Sequence, residues 1–175
     1  FSLQPRQGGA CREITLPGWA GTARGGHPEL PVKGVLIQVP ESGEIGLEVI
    51  ESTYESLPGI EICSAPRLSL SEDEKPTAEY AGDPRIYGSS DFFPGVPAEI
   101  SSRNRFRNVA VARIMMYPFQ WNPMTRELRY FKKLRLRVHF EDPLPRPVGN
   151  AVELSVTPLR GAVTTPTKLL RLDSS

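Results

Sequence analysis

The stretch YPFQWNPMTRELRYFKKLRLRVHF, from Tyr117 to Phe140, decides the fold class of this chain. Its second half alternates apolar and basic residues, and alternate side chains of a β-strand point to opposite faces of the sheet. The apolar face of this strand comprises Leu128, Tyr130, Leu134, Leu136, Val138 and Phe140, interrupted by Lys132. The Asn-Pro pair within Trp121–Glu127 is a turn signal. The sequence therefore predicts a hairpin in which Leu128–Phe140 pairs with Asn108–Phe119.

The rest of the chain also predicts short strands separated by turns. Its 18 prolines and 15 glycines disfavour long helices. Asn108–Phe119 is apolar on both faces apart from Arg113, so we expect a central strand that is covered on both sides. Further strands are predicted over Cys11–Pro17, Val32–Pro40, Glu44–Leu57, Gly59–Leu70 and Ala151–Val156. This succession is typical of an all-β, antiparallel sandwich or barrel with long Pro/Gly-rich loops.

Charge is distributed unevenly along the chain, although its net value is only +1. Glu41–Glu74 contains nine acidic residues and one base, whereas Arg103–Arg137 contains ten bases and one acid. We expect the two regions either to face each other or to form surfaces of opposite sign. The small net charge disfavours a nucleic-acid-binding protein, in which a stronger basic excess is usual.

The basic residues near the C-terminal end of this region lie on one face of the predicted strand Leu128–Phe140. They are Arg129, Lys133, Arg135, Arg137 and His139, with Phe131 among them. A solvated strand face that discourages edge pairing explains this pattern, and so does a surface that faces a partner protein. A single aromatic side chain among the bases is too few for a nucleic-acid stacking platform.

The sequence contains none of the residue patterns that mark a catalytic, metal or phosphate site. There is no Cys-x-x-Cys, His-Glu-x-x-His, acidic calcium loop or Gly-x-Ser-x-Gly motif. The two histidines, His27 and His139, lie in a glycine-rich loop and on the basic strand face. No apolar run approaches the length that spans a membrane. We therefore expect a domain without catalytic residues, metal, cofactor or membrane span.

The two cysteines, Cys11 and Cys63, lie in separate predicted strands. They could form a disulfide in an oxidising compartment, or remain two buried free thiols. Residues 1–156 contain all the predicted strands, and the segment 157–175 that follows, with Thr-Pro twice, is typical of a connector. We therefore expect one domain over residues 1–156, followed by a linker.

Several motifs of this sequence follow the order of a known family. Pro118, Phe119, Gln120, Asn122 and Pro123, with Trp121 in place of the usual tyrosine, resemble a hairpin of the N-terminal propeptide domain of gingipain-type cysteine peptidases. The earlier segments HPELPVKGVLIQVP, APRLSLSEDE and YGSSDFFPG are similar to preceding segments of that domain. The resemblance covers roughly His27 to Glu141 and is most specific at the hairpin.

The resemblance implies a jelly-roll-like β-sandwich that precedes the peptidase domain of a secreted bacterial precursor. Such a propeptide assists the folding of the catalytic domain and covers its active-site cleft until it is removed. The catalytic cysteine and histidine of the family belong to the following domain, toward which segment 157–175 would lead. The propeptide would be secreted or displayed at the cell surface after removal of a signal peptide. The alternative is a non-catalytic adhesion or ligand-binding module of a bacterial surface protein.

Basic side chains block the specificity pockets of the arginine- and lysine-specific members of this family. A corresponding inhibitory loop is predicted at Ser101–Asn108, which presents Arg103, Arg105, Phe106 and Arg107. Arg105 is the first candidate to enter the cleft, because it lies at the centre of the loop and farthest from both anchoring strands. The basic strand would then steer association with an acidic enzyme surface.

Two further expectations follow from the resemblance. Release of a propeptide requires an exposed and flexible cleavage site, and the basic candidates in the connector are Arg160 and Arg171. If Ser101–Asn108 does not enter the cleft, the aromatic stretch Tyr87–Pro94 is the next candidate for the inhibitory segment.

Overall fold

The structure is a computed structural model that describes residues 1–6, 9–22, 24–70, 76–144, 149–157 and 162–164. Within these residues it contains 13 β-strands and one short helix. The strands are β1 (Ser2–Pro5), β2 (Arg12–Thr15), β3 (Ala20–Gly21), β4 (Pro31–Gln38), β5 (Ile45–Leu57), β6 (Arg67–Leu70), β7 (Pro76–Glu79), β8 (Ala98–Phe106), β9 (Val109–Met116), β10 (Phe119–Asn122), β11 (Glu127–Leu144), β12 (Gly149–Thr157) and β13 (Ala162–Thr164); the helix α1 is Pro84–Tyr87.

The strands form two larger sheets and two small ribbons. One sheet has the order β3-β4-β9-β8, and the other has the order β10-β11-β12-β13 with β5 also paired to β11. The ribbons are β1-β2 and β6-β7. Each ladder with a defined register is antiparallel. The predicted all-β, antiparallel class is therefore confirmed, while the face-to-face packing of a sandwich stays a prediction.

The chain divides into two compact units, and the expected single domain over residues 1–156 stays a prediction. The first unit comprises Phe1–Val32, Glu55–Pro97 and Tyr117–Tyr130, and the second comprises Lys33–Tyr54, Ala98–Met116 and Phe131–Ser175. Part of the expected connector also belongs to a sheet, because β13 pairs with the end of β12.

The core of the first unit is built around Trp121. Its side chain is 0% exposed, its Nε1–H donates to the carbonyl oxygen of Ile60 at 2.8 Å, and the ring of Tyr87 meets it edge-on at 5.2 Å. A buried tryptophan contributes a large apolar area but requires an acceptor for its N–H, and this arrangement supplies both. The buried residues of this cluster are Ile14, Leu16, Leu30, Ile62, Phe119, Trp121 and Leu128.

The core of the second unit confirms the amphipathic reading of β11. Apolar residues of β11 pair directly with apolar residues of β12, and all of them are buried. Such cross-strand pairs are the main source of stability between two strands. The pairs are Leu134↔Val156, Leu136↔Leu154 and Val138↔Val152.

The hairpin predicted between Asn108–Phe119 and Leu128–Phe140 is wrong in its first strand. β9 pairs with β4 and β8, and only the four residues of β10 pair with β11. Pro118 lies between β9 and β10 and has no N–H to continue a ladder, so the strand ends before it. The turn itself is correctly placed: Asn122 Oδ1 accepts from the backbone N–H of Thr125 at 3.0 Å and closes the connection between β10 and β11.

A disulfide joins Cys11, in the β1–β2 connection, to Cys63. Backbone hydrogen bonds flank it, since Arg12 N–H donates to Glu61 O at 2.7 Å and Cys63 N–H donates to Arg12 O at 3.0 Å. The N-terminal ribbon is therefore tied to residues 61–63 both covalently and through its backbone.

Removing the disulfide by Cys11→Ser together with Cys63→Ser should lower the free energy of unfolding by about 4 kcal/mol. This is the chain-entropy value for a bond that closes a loop with a sequence separation of 52. Urea denaturation without reductant measures the difference, and wild-type protein in reductant should unfold like the variant. Two titratable thiols in denatured, unreduced wild-type protein would show that the bond is not formed.

Candidate functional site

The segment predicted as an inhibitory loop is a β-hairpin. Ser101–Phe106 lies within β8, and only Arg107 and Asn108 form the turn to β9, because Phe106 pairs with Val109. Both turn residues have a left-handed backbone, with φ of 45° at Arg107 and 64° at Asn108. A two-residue turn with positive φ at both positions is the type I′ connection, whose twist matches that of the two strands. The expectation of an irregular loop is thus corrected to a rigid arm with a two-residue tip.

Arg107 is an unusual residue for the first position of this turn. Asparagine, aspartate and glycine are preferred there, and a left-handed backbone costs other residues about 1–2 kcal/mol. Asn108, the second residue, follows the preference. Backbone strain of this kind is concentrated at functional sites, where the surrounding structure enforces it. The left-handed backbone at the tip therefore marks Arg107 as a candidate functional residue.

The other two arginines of the predicted loop are bound to their own chain. Arg103 donates from Nη2 to the carbonyl oxygen of Pro40 at 2.6 Å and from Nη1 to that of Gly43 at 2.7 Å. Arg105 forms an ion pair with Glu41. Arg107, in contrast, lies at the tip, with its guanidinium 5.5 Å from the ring centroid of Phe106. Of the three arginines, Arg107 is therefore the one that lies at the tip, and the entry of any of them into a cleft stays a prediction.

A bulge in β8 decides which residues share a face near the tip. The pairing of β8 with β9 shifts between Ile100 and Ser102, so that Ser101 is inserted into the ladder. An inserted residue reverses the alternation that follows it. As a result Arg103 and Arg105 lie on the same face of the sheet as Ile100, although sequence spacing alone assigns them to the opposite face.

The basic face of β11 is paired with carboxylates from its two neighbouring strands. Glu51 of β5 bridges Lys133 at 2.6 Å and Arg135 at 3.2 Å. Glu153 of β12 bridges Arg135 at 3.1 Å and Arg137 at 2.9 Å. This carboxylate ladder neutralises most of the charge that the sequence assigned to electrostatic steering. A partner-facing role for these residues stays a prediction. The pairing with Glu51 corresponds to the alternative in which the acidic and basic regions of the chain face each other.

Arg129, the fourth member of the predicted steering surface, lies in the first unit. Its guanidinium is 3.6 Å from the ring centroid of Phe92, and its Nε donates to Glu127 at 3.2 Å. Glu127 lies two residues before Arg129 on β11, so alternation along the strand places both side chains on one face. The contact with Phe92 joins residues distant in sequence and does not follow from that alternation.

Hydrogen bonds to basic side chains shift the pKa values of both ladder carboxylates. Bonds from Lys133 and then Arg135 hold the pKa of Glu51 below its ordinary value of 4.5. Bonds from Arg137 and then Arg135 do the same to the pKa of Glu153. These bonds favour the charged form of each carboxylate, so the ladder depends on pH.

The aromatic stretch Tyr87–Pro94, the second candidate for the inhibitory segment, is packed into the first unit. The Tyr87 hydroxyl donates to the carbonyl oxygen of Ile62 at 3.1 Å, and burial raises the pKa of Tyr87. The backbone N–H and C=O of Phe93 both bond to Trp121 at 2.8 Å. A segment held in this way is a poor candidate to enter a partner's cleft.

The remaining expectations concern processing, metals and membranes. Arg160 and Arg171 lie outside the described residues. Across the part of the chain that the structure describes, no group of three or more His, Cys, Asp or Glu residues could hold a metal ion. Over the same residues, the model contains no helix with the length and hydropathy needed to cross a bilayer.

The model of the Propeptide_C25 family matches residues 1–154. The chain belongs to this family. It is thus a propeptide domain of a peptidase precursor, as the hairpin motif indicated, and this favours the propeptide over an adhesion module. Gingipain R1 of Porphyromonas gingivalis is 24% identical over 113 residues, which are 65% of this chain and 11% of that relative. The propeptide domain therefore matches only about a tenth of the length of that curated relative.

Two solved structures share the fold of this propeptide domain. A complex of the pro- and mature domains of RgpB from Porphyromonas gingivalis matches with a TM-score of 0.65 and 24% identity, covering 79% of this chain and 70% of the other. A structure on the zymogenic latency of gingipain K from the same organism matches with a TM-score of 0.62 and 20% identity, covering 80% of both chains.

Acid should destabilise the propeptide domain through the carboxylate ladder. A carboxylate whose folded-state pKa is depressed stabilises the fold above its unfolded pKa, and this contribution is lost as the pH falls through the folded value. The urea midpoint should therefore fall as the pH is lowered from 6 to below 4, and less steeply in Glu153→Gln. Glu48→Gln, an exposed glutamate of the same sheet, is the matched control. Equal slopes for Glu153→Gln and wild type would contradict a role for the ladder.

Replacing Arg107 by glycine should stabilise the isolated propeptide domain by about 0.5–1 kcal/mol. Glycine adopts a left-handed backbone without the steric cost that arginine bears, although its greater freedom in the unfolded chain offsets part of the gain. Chemical denaturation measures the change, with Arg113→Gly, in the middle of β9, as the destabilising control. Loss of stability in Arg107→Gly would contradict the left-handed turn.

Proposed function

We propose that this propeptide domain inhibits the cysteine-peptidase domain of its own precursor by inserting the Arg107 tip into the substrate cleft. The observation that carries the proposal is a strained arginine at the tip of a rigid two-residue hairpin. The two similar structures concern a complex of pro- and mature domains and zymogenic latency, each for its own protein. The same role for this chain fits its family and its tip.

A guanidinium suits the recognition of a carboxylate at the floor of a specificity pocket. It is planar and can donate two parallel hydrogen bonds to one carboxylate, and it keeps its charge at any physiological pH. The tip therefore fits a peptidase with an acidic group in its pocket. Because the turn is ordered when the domain folds, little conformational entropy remains to be lost on binding.

The hairpin also explains how an inhibitor could occupy a peptidase cleft without being cut. Cleavage next to Arg107 requires the two turn residues to become extended and the flanking residues to leave the β8–β9 ladder. The paired positions on both sides of the turn, Phe106 with Val109 and Arg105 with Ala110, oppose this local unfolding. The contacts of Arg103 with Pro40 and Gly43 hold the arm further.

We also propose that the propeptide domain assists the folding of the catalytic domain, and that the protein is exported from the cytoplasm. A preformed propeptide surface that binds only the folded catalytic domain stabilises that domain by mass action. Covalent linkage in one precursor makes the local concentration of the propeptide high. The Cys11–Cys63 disulfide fits an oxidising compartment outside the cytoplasm, consistent with secretion or display at the cell surface.

Arg107→Ala should weaken inhibition of the isolated catalytic domain, added in trans, by about 2–4 kcal/mol, or about 30- to 1000-fold. Arg105→Ala should have a smaller effect, because its partner is Glu41 of its own chain. Arg85→Ala, an exposed arginine in α1, is the matched control and should leave the inhibition constant unchanged. Full inhibition by Arg107→Ala, with loss of inhibition in Arg105→Ala, would reverse the assignment of the two residues.

A further inference from the structure

One face of the β4–β9–β8 sheet exposes apolar side chains next to the hairpin tip. The first cross-strand row, directly behind the turn, is Phe106 and Val109. Counting the rows back from the turn, the third row contains Leu36 of β4, which pairs with Arg113 of β9. Leu36 is 52% exposed and Phe106 is 45% exposed, which is high for large apolar residues of a sheet. We call this face the docking strip. Its three cross-strand rows, counted from the tip, are Phe106–Val109, Asn104–Val111–Gln38 and Ser102–Arg113–Leu36.

The opposite face of the same sheet makes contacts with other residues of this chain. That face carries Ile37, Ala112 and Ile114, which are buried. It also carries Arg103, which pairs with Ala112, and Arg105, nearer the tip; both are tied to the loop at residues 40–43. On the docking strip, Phe106 and Leu36 are exposed, whereas Val111 between them is 4% exposed. The exposed part available to a partner is therefore the two apolar ends of the strip.

We infer that the docking strip binds the wall of the cleft into which Arg107 is inserted, so that the peptidase domain recognises a sheet face as well as a tip. This inference rests on the proposed function for its partner. Specific protein complexes bury roughly 800 Å² on each partner, and a two-residue tip supplies only a fraction of that area. Further surface must therefore lie against the enzyme.

The geometry of the hairpin indicates where that further surface lies. Successive rows on one face of an antiparallel sheet are about 7 Å apart, so the three rows of the docking strip extend roughly 15–20 Å behind the tip. Residues this close to an inserted tip meet the wall or the rim of the cleft. Because the docking strip is continuous with the tip, we choose it as the enzyme-binding surface over exposed apolar residues elsewhere, such as Leu68 of β6.

The composition of the docking strip is that of a protein interface. Apolar side chains of Phe106, Val109 and Leu36 alternate with uncharged polar side chains of Asn104 and Gln38. At the third row Arg113 lies close against the backbone of Gly34, where an added Cβ would meet its Nε at 2.9 Å. Exposed apolar side chains beside polar and basic ones are the composition of a protein interface.

The test compares Leu36→Glu with Leu68→Glu, two identical changes at exposed leucines on β-strands. Binding is measured to the catalytic domain of the precursor with its active-site cysteine replaced by alanine. Leu36→Glu should bind at least 10-fold more weakly, mainly through faster dissociation, and Leu68→Glu should stay within twofold of wild type. Thermal unfolding of each variant checks the fold, and Leu36→Thr, which suits a strand, replaces Leu36→Glu if that variant does not fold.

The outcomes separate this inference from the proposed function. If Arg107→Ala weakens inhibition while the Leu36 variant binds like wild type, the docking-strip inference is wrong and the proposed role of the tip is retained. If wild type binds in a Leu36-dependent manner but does not inhibit, the strip stands and the proposed function is wrong. Equal losses in Leu36→Glu and Leu68→Glu would also overturn the strip, because they would show a general effect of added charge.

Discussion

The left-handed backbone at Arg107 and Asn108 fixes the register between β8 and β9, and the candidate site depends on that register. A slip by one residue exchanges the two faces of a strand. It would remove Arg103 and Arg105 from their partners in the loop at residues 40–43 and would turn Phe106 away from the exposed face. The turn and the bulge at Ser101 together decide which side chains hold the arm and which are presented.

The ion pairs on β11 reduce the net positive charge that this face of the sheet could present to a partner. Glu51 and Glu153 offset most of the positive charge of Lys133, Arg135 and Arg137. Exposed ion pairs each add little stability, but opposite charges on neighbouring strands favour the order β5–β11–β12 over other pairings. The basic run therefore helps to specify the sheet.

The sequence predicted those features that depend on alternation along one strand, and it missed those that depend on pairing between strands. The buried face of β11 follows from residue spacing alone. The strand break at Pro118 was overlooked because the apolar pattern continues on both sides of it. The hairpin tip was read as a loop because Arg-Asn lacks the glycine that signals a type I′ turn. The bulge and the partners Glu51 and Glu153 follow only from the register.

The hairpin tip contains Arg107 and Asn108 and no glycine, although glycine forms such a turn at lower free-energy cost. Were the turn only a connection, glycine or asparagine at position 107 would form it at lower cost. Arginine instead raises the free energy of the folded domain, and the β8–β9 ladder and the contacts of Arg103 hold it in that conformation. Because this cost arises on folding, it does not reduce the free energy of binding. A residue that weakens its own domain but is held at an exposed turn motivates the proposed inhibitory contact.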